Sequence, residues 1–177
     1  SVNEGSVSID ENGGVTTATV DASSGGAAEA ADQSYVYVDL QEAKKVSLSD
    51  VDAHEDKSWD IAFRRTKIRL NSADSGPGAW LGTKMEGTWD DASEPPARDA
   101  EWFQDDFVSD DCQVETGPRG SITTGFGQWY DYDPSTHSVS APEKAVWALY
   151  NMSTHAVLKL EISAYDDGTY ELRWTDL

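Results

Sequence analysis

Three histidines are the residues of this chain best suited to bind a metal or to move a proton near neutral pH: His54, His137 and His155. None stands in an H-E-x-x-H motif or in an i, i+4 pair, and the flanking residues predict a loop or turn around each. The strand predicted between His137 and His155 spans roughly 20 Å at about 3.3 Å per residue. In a meander the two side chains therefore lie at opposite ends of the sheet, and a shared metal is not expected. Met152 and His155 are three residues apart, but two ligands do not complete a soft-metal site.

Motifs for other kinds of catalysis are absent from the sequence. There is no G-x-S-x-G nucleophile elbow, no P-loop and no dinucleotide fingerprint. Four Asp-Asp pairs (90–91, 105–106, 110–111 and 166–167) lack the spacing and closing Glu of a calcium loop, so solvated acidic faces are the simpler interpretation. The single cysteine, Cys112, excludes an internal disulfide and any Cys-rich metal cluster. We predict that the protein is not an enzyme.

Length and charge limit the possible partners. The 177 residues suffice for one domain, and 33 Asp and Glu against 13 Lys and Arg give a net charge of −20. Nucleic acid and anionic membrane surfaces need clustered cations, so neither is an expected partner. The longest uninterrupted apolar run, residues 145–150, is far shorter than the ~20 residues of a transmembrane segment. The chain starts at Ser1 without Met, so we expect either that a signal segment has been removed or that the chain starts inside the gene.

Alternation of apolar and polar residues predicts an all-β fold, because no window fits the helical pattern. Residues 59–70 are the clearest candidate for a long strand, with an inward face that switches near Arg64 and Arg65. We attribute that switch to a bulge or to an edge shared between two sheets. The other predicted strands are residues 6–10, 15–22, 35–40, 46–48, 79–83, 127–132, 145–152, 156–165 and 170–174, the last three forming an antiparallel meander.

The basic residues of the strand at 59–70 and the tryptophans of the irregular middle can each be interpreted in two ways. Arg64, Arg65, Lys67 and Arg69 crowd the strand at 59–70 and either pair with the acidic surface or form an anion-binding strip. Tryptophans in regular strands belong to the core: Trp59, Trp147 and Trp174. Those in the irregular middle are either core residues or exposed recognition residues: Trp80, Trp89 and Trp102.

Residues 58–65 read S-W-D-I-A-F-R-R, followed by I-R-L-N at 68–71 and S-G-P-G at 75–78. These motifs, in this order, resemble the HmuY family, whose members are surface-attached all-β lipoproteins that bacteria use to capture haem. Residues 19–23 and 35–40 resemble the family's first two strands, and residues 146–174 resemble its closing meander. The resemblance covers roughly residues 15–177 and is weakest from 85 to 125. It implies antiparallel sheets or a sandwich with long irregular loops and a C-terminal meander.

The resemblance also implies haem held between two axial ligands on loops, histidines in the best-known members and methionines in some relatives. One should fall in residues 97–111, which hold neither His nor Met. The other should follow the strand at 129–132, and the nearest histidine there is His137. His137 is therefore the only haem ligand that the resemblance carries over, at a displaced position. Arg98 or Arg119 would have to offset the anionic propionates on so acidic a surface.

We therefore predict a non-enzymatic HmuY-like binding protein that captures haem or a porphyrin outside the cell or on its outer surface. Residues 1–14 form an N-terminal extension to the HmuY-like domain of residues 15–177, with a strand-like segment beside a Gly-Gly turn. As an alternative, this extension adds as a donor strand to a neighbouring copy and builds an extracellular filament without haem. Residues 1–14 packing on their own domain, or a sugar or protein ligand bound by the loop tryptophans, are further possibilities.

Overall fold

Two antiparallel sheets dominate the computed structural model, which describes residues 1–117 and 120–177, and the predicted all-β class is confirmed. In chain order the strands are β1 (Val7–Asn12), β2 (Val15–Asp21), β3 (Val36–Asp39), β4 (Lys44–Val46), β5 (Ile61–Arg64), β6 (Lys67–Leu70), β7 (Trp80–Lys84), β8 (Asp131–Asp133), β9 (Ser138–Ser140), β10 (Val146–Asn151), β11 (Val157–Asp166) and β12 (Thr169–Asp176). The chain also forms a one-turn helix, α1 (Asp50–Ala53), and a 3₁₀ turn at Ala30–Asp32.

The larger sheet has the order β1-β2-β12-β11-β10-β7, and the smaller has the order β4-β3-β5-β6. Alternate residues of each strand point to opposite faces, so each sheet turns one apolar face inward. Val36, Phe63 and Ile68 of the smaller sheet and Leu160 and Leu172 of the larger one belong to a single buried cluster. The predicted C-terminal meander is present as β10, β11 and β12.

Residues 59–70 are not one long strand but a hairpin, so that prediction is wrong. β5 and β6 pair with Phe63 opposite Ile68, and both side chains face the core. Arg65 makes the turn with a φ of 48°, a conformation that non-glycine residues adopt only rarely. Tyr170, which is buried, donates its hydroxyl hydrogen to the Arg65 carbonyl and holds that turn. The apparent switch of inward face is therefore the reversal of chain direction.

The strand predicted at residues 127–132 is also wrong, because the observed strand, β8, covers only Asp131–Asp133. Residues 125–130 are irregular, because two aromatic side chains anchor them in the core: Phe126 and Trp129 are 6% and 5% exposed. The Trp129 indole donates a 2.9 Å hydrogen bond to the Thr66 carbonyl at the β5–β6 turn. Only then does the small β8–β9 hairpin begin, and its strands are mostly exposed.

Residues 1–14 pack on their own domain. β1 pairs along its whole length with β2 across the Gly13-Gly14 turn and ends the larger sheet. Before β1, the buried side chain of Asn3 donates to the Ser24 hydroxyl at 3.0 Å and to the Ser34 carbonyl. Among the described residues, no helix is both long and apolar enough to cross a membrane.

One buried carboxylate organises the long segment between β7 and β8. Asp105 is fully buried and accepts hydrogen bonds from the Leu70 N–H at 2.8 Å, the Ser75 hydroxyl at 2.7 Å and the Gly125 N–H at 3.2 Å. Burial raises the pKa of Asp105 to about 6, against the opposing effect of these hydrogen bonds. The carboxylate thereby ties a loop, a strand end and a second loop together.

Candidate functional site

A cleft of about 570 Å³ lies on the face of the larger sheet that is turned away from the core. Its floor is a row across three strands, because Tyr150 of β10 stands opposite Leu81 of β7 on one side and Val157 of β11 on the other. The irregular segment after β7 supplies the other wall, with Pro95, Pro96, Arg98 and Trp102. The volume is within the range of ordinary small-ligand sites.

His155 sits at the mouth of this cleft in the turn between β10 and β11. The backbone of His155 has a φ of 61°. Its Nδ1 lies 2.6 Å from the hydroxyl of Tyr150, which belongs to the preceding strand, β10. In the tautomer protonated on Nδ1, the imidazole donates to that hydroxyl, and Nε2 keeps the lone pair that a metal ion needs. Nε2 makes no hydrogen bond to any residue that the structure describes. The arrangement can therefore present one nitrogen ligand to a molecule lying on the cleft floor.

His137, the ligand predicted from the sequence, has the same local geometry in a different place. It lies in the turn of the β8–β9 hairpin with a φ of 56°, and its Nδ1 lies 2.8 Å from the Tyr132 hydroxyl. In both cases the tyrosine precedes the histidine by five residues. His137 is exposed and does not line the cleft that holds His155. The third histidine, His54, is exposed at the C-terminus of α1.

The residues on which a metal centre would depend are dispersed. Within residues 1–117 and 120–177, no group of three or more His, Cys, Asp and Glu side chains is placed to hold a metal ion. Arg98, one of the two cations expected to offset propionates, does line the cleft. The other, Arg119, lies outside the described residues.

The tryptophans of the irregular middle divide into two structural residues and one cleft residue. Trp80 is 1% exposed and donates a 2.6 Å hydrogen bond to Asp60, so it belongs to the core. Trp89 is also buried, with the cations of Lys159 and Arg173 at 4.1 and 4.4 Å from its ring centroid. The recognition interpretation is therefore wrong for these two. Trp102 is half-buried, lines the cleft and has its ring centroid 6.1 Å from that of Tyr150.

His155 is a cleft residue that the sequence pattern alone did not identify. The signal that could have found it is the repeated Tyr-x₄-His spacing at 132–137 and 150–155, each time across a predicted turn. Trp102, in contrast, reaches the cleft only because the loop that carries it folds back over β7. Phe103, its neighbour, exchanges two backbone hydrogen bonds with Gly82 of that strand, at 2.7 and 2.9 Å.

The W-D and L-N motifs prove to be parts of the scaffold. Trp59 donates its indole N–H to the Ala53 carbonyl at 2.9 Å, and Asp60 accepts from the Leu40 N–H at 2.7 Å. Asn71, which is fully buried, donates to the Trp59 carbonyl at 2.8 Å and accepts from the Gly78 N–H at 2.8 Å. The motifs thus close the region around the β5–β6 hairpin and lie away from the His155 cleft.

Comparison with known proteins agrees with these motifs. The family model described as HmuY protein matches residues 31–176, which leaves β1 and β2 outside the match. No curated protein matches the chain. Since the match covers most of the chain, with the whole smaller sheet and four of the six strands of the larger one, the chain belongs to the HmuY family.

Proposed function

We propose that this protein is a secreted or surface-attached binding protein that captures haem or a related porphyrin in the His155 cleft. Membership of the HmuY family supports a protein of the haem-binding type. The observation that carries the proposal for this chain is the cleft, which is lined by an imidazole, a cation and apolar side chains. We propose an extracellular or outer-surface location because members of the HmuY family are surface or secreted proteins.

The cleft residues fit what a porphyrin needs. Leu81, Tyr150 and Val157 offer an apolar floor, and Trp102 offers an aromatic edge above it. His155 would supply an axial nitrogen, held in orientation by Tyr150. Arg98 would pair with a propionate, which matters in a molecule of net charge −20. Haem, when bound, would supply the iron chemistry, and the protein's part is to hold and shield it.

Haemin titration of the full-length protein, followed by absorbance in the Soret region in oxidised and reduced states, tests the proposal. We expect saturation at one equivalent, and we expect His155→Ala to weaken the affinity at least about tenfold. His137→Ala is the matched control, because it removes the same side chain from the same kind of tyrosine-bonded turn. Loss of binding in His137→Ala alone would move the site to the hairpin ligand implied by the resemblance. A spectrum equal to that of haemin with an unrelated acidic protein would overturn haem capture altogether.

A filament subunit built by donor-strand exchange is the second candidate function. Its support is the position of β1, a strand outside the family match that ends the larger sheet and, among the described strands, pairs only with β2. An edge strand offers unpaired backbone groups on its outer side, and an exchanged β1 would give an open head-to-tail assembly. Exchange would require the six-residue pairing with β2 to open in one copy and reform in the next.

A further inference from the structure

Three of the basic side chains of the β5–β6 hairpin share one face of the smaller sheet. In the register of the hairpin, Arg64 stands opposite Lys67, and Arg69 stands opposite Ala62. Since Phe63 and Ile68 point into the core, these cations point the other way. The fourth basic residue, Arg65, sits in the turn and pairs with Asp167.

The ring of Tyr35 holds two of these cations near each other. The guanidinium carbons of Arg64 and Arg69 lie 4.4 and 4.3 Å from its centroid. A guanidinium stacked on an aromatic ring keeps its N–H groups free to bond in its own plane. Stacking therefore fixes the position of the charges without using their donors.

Charge compensation at this face is incomplete. Arg64 has Asp50 at 3.7 Å and donates to the Gln33 carbonyl. Neither Lys67 nor Arg69 has a carboxylate within ion-pair distance among the residues that the structure describes. The field of Arg69 does reach Asp105, but both oxygens of that carboxylate already accept hydrogen bonds from other groups.

Arg69 Nε is the one buried side-chain nitrogen or oxygen without a hydrogen-bond partner in the described part of the chain. A buried donor left unpaired costs free energy, and a buried charged donor costs more. This donor lacks a partner in a protein that has 33 acidic residues. A ligand that brings its own negative charge to the terminal N–H groups of the same guanidinium would offset this cost.

The space in front of these cations is a hollow of about 470 Å³. Tyr35, Lys67 and Arg69 line it, together with small residues on one side and a loop on the other: Ala27, Ala30, Ala31, Gly120, Ser121 and Ile122. Because the side chains of these wall residues are mostly small, a compact ligand can reach the N–H groups of Lys67 and Arg69. Burial, followed by the field of Arg64, lowers the pKa of Lys67, as expected where cations are concentrated without enough counter-charge.

We propose that this hollow is a binding site for a small oxyanion ligand, a carboxylate or phosphate, held by Arg69 and Lys67. Arg69 would donate from its stacked guanidinium, and Lys67 would add a second charge-assisted hydrogen bond. The site is separate from the His155 cleft, with which it shares no lining residue. The proposal therefore stands whether or not the protein binds haem.

The arginine Nε–H region of a ¹H–¹⁵N correlation spectrum of the full-length protein tests this directly. The Arg69 signal is identified by its loss in Arg69→Lys, and the protein is titrated with sodium phosphate, sodium succinate and, at matched ionic strength, sodium chloride. We expect a saturable shift of the Arg69 signal with phosphate or succinate that chloride does not produce. Which of the two anions acts distinguishes a phosphate site from a carboxylate site.

Lys67→Met gives the second measurement and leaves the half-buried Arg69 in place. We expect it to weaken the apparent affinity for the anion at least about tenfold, the effect of losing one charge-assisted hydrogen bond. Lys44→Met removes one positive charge from β4 of the same sheet and should leave the affinity unchanged. No saturable shift with either anion, or equal affinities in the wild type and Lys67→Met, would overturn the proposal.

Discussion

At the scale of single residues, two buried aspartates show how local sequence can mislead. Asp105 belongs to an Asp-Asp pair that looks like a solvated charge run, yet it is fully buried while Asp106 is exposed. Asp60 is also buried, and burial raises its pKa to about 6 although Leu40 and Trp80 donate hydrogen bonds to it. In both positions burial opposes the charged form of the carboxylate, and hydrogen-bond donors favour it.

This burial makes the free energy of unfolding depend on pH in a definite direction. The folded-state pKa of Asp105, about 6, lies above the ordinary value of 3.8, so the folded state binds more protons between pH 4 and pH 6. The stabilisation linked to this group is fully present below pH 4 and is lost as pH rises through 6. The loss between pH 4 and neutral pH is on the order of 1–3 kcal/mol.

Asp105→Asn should therefore flatten the decline of stability between pH 4 and pH 6, whatever its effect on stability at a single pH. Urea unfolding at several pH values measures this slope. Asp106→Asn makes the same chemical change at the exposed neighbour and should keep the wild-type slope. Parallel curves for the wild type and Asp105→Asn would contradict the assignment.

At the scale of elements, close aromatic contacts place the loop that carries Trp102. The ring of Phe103 packs edge-on against Phe126, with the centroids 5.2 Å apart. A Cβ atom on Gly125 would lie 2.0 Å from Phe103 Cδ2, and one on Gly82 would lie 2.6 Å from its Cζ. These glycines let the loop approach β7 and so complete the wall of the cleft.

Gly125→Ala should force the Phe103 ring to move and lower the free energy of unfolding by roughly 1–3 kcal/mol. Because Trp102 adjoins Phe103, the same change should weaken haemin binding. Gly13→Ala is the control, since its Cβ would meet nothing within 4 Å and would add only the strain of a φ of 61°. Chemical denaturation of both variants measures the difference, and equal losses would argue against the contact.

Experiments on the edge strand β1 test the filament candidate separately from haem capture. The filament candidate predicts large assemblies of the full-length chain that disappear when residues 1–14 are deleted, as measured by light scattering after size-exclusion chromatography. A disulfide between Cys residues placed at the opposed positions Ser8 and Thr19 would lock β1 to β2 and should also abolish them. The exposed Cys112 must first be changed to Ser to avoid mispairing. A monomeric full-length chain would contradict the filament candidate and leave haem capture untouched.

At the scale of the whole molecule, net charge opposes compactness. The described residues form three ion pairs, whereas the sequence has 33 acidic and 13 basic side chains. Most carboxylates therefore repel one another across the surface, which favours solubility but destabilises the folded state.

Added salt should accordingly stabilise this protein. Raising sodium chloride from about 20 to about 500 mM shortens the Debye length from roughly 20 Å to a few ångströms. We expect Tm to rise by several degrees, as followed by thermal unfolding monitored with circular dichroism. Potassium chloride should act equally, because screening depends on ionic strength and not on the identity of the cation. An unchanged or lower Tm would show that local ion pairs outweigh the general repulsion.

The sequence by itself determined the features that depend on neighbouring residues. Alternation of apolar and polar side chains sufficed for the all-β class and the C-terminal meander, and the motifs from Trp59 to Gly78 sufficed for the family. Those motifs are informative because Asp60 and Asn71 satisfy buried backbone groups, so they identify the scaffold and not its ligand.

Only the tertiary structure decided those features in which long-range contacts override the local sequence pattern. The hairpin at Arg65 turns without a glycine, because Tyr170 binds its carbonyl from a strand more than one hundred positions away. Trp102 lines the same cleft as His155 because Phe103 docks on β7, a contact that no local periodicity encodes. The unpartnered Nε of Arg69 likewise became visible only in the folded chain, where Asp105 accepts hydrogen bonds from other groups. Local pattern fixes which face of a strand is apolar, whereas the partners of loops and buried charges depend on how the whole chain folds.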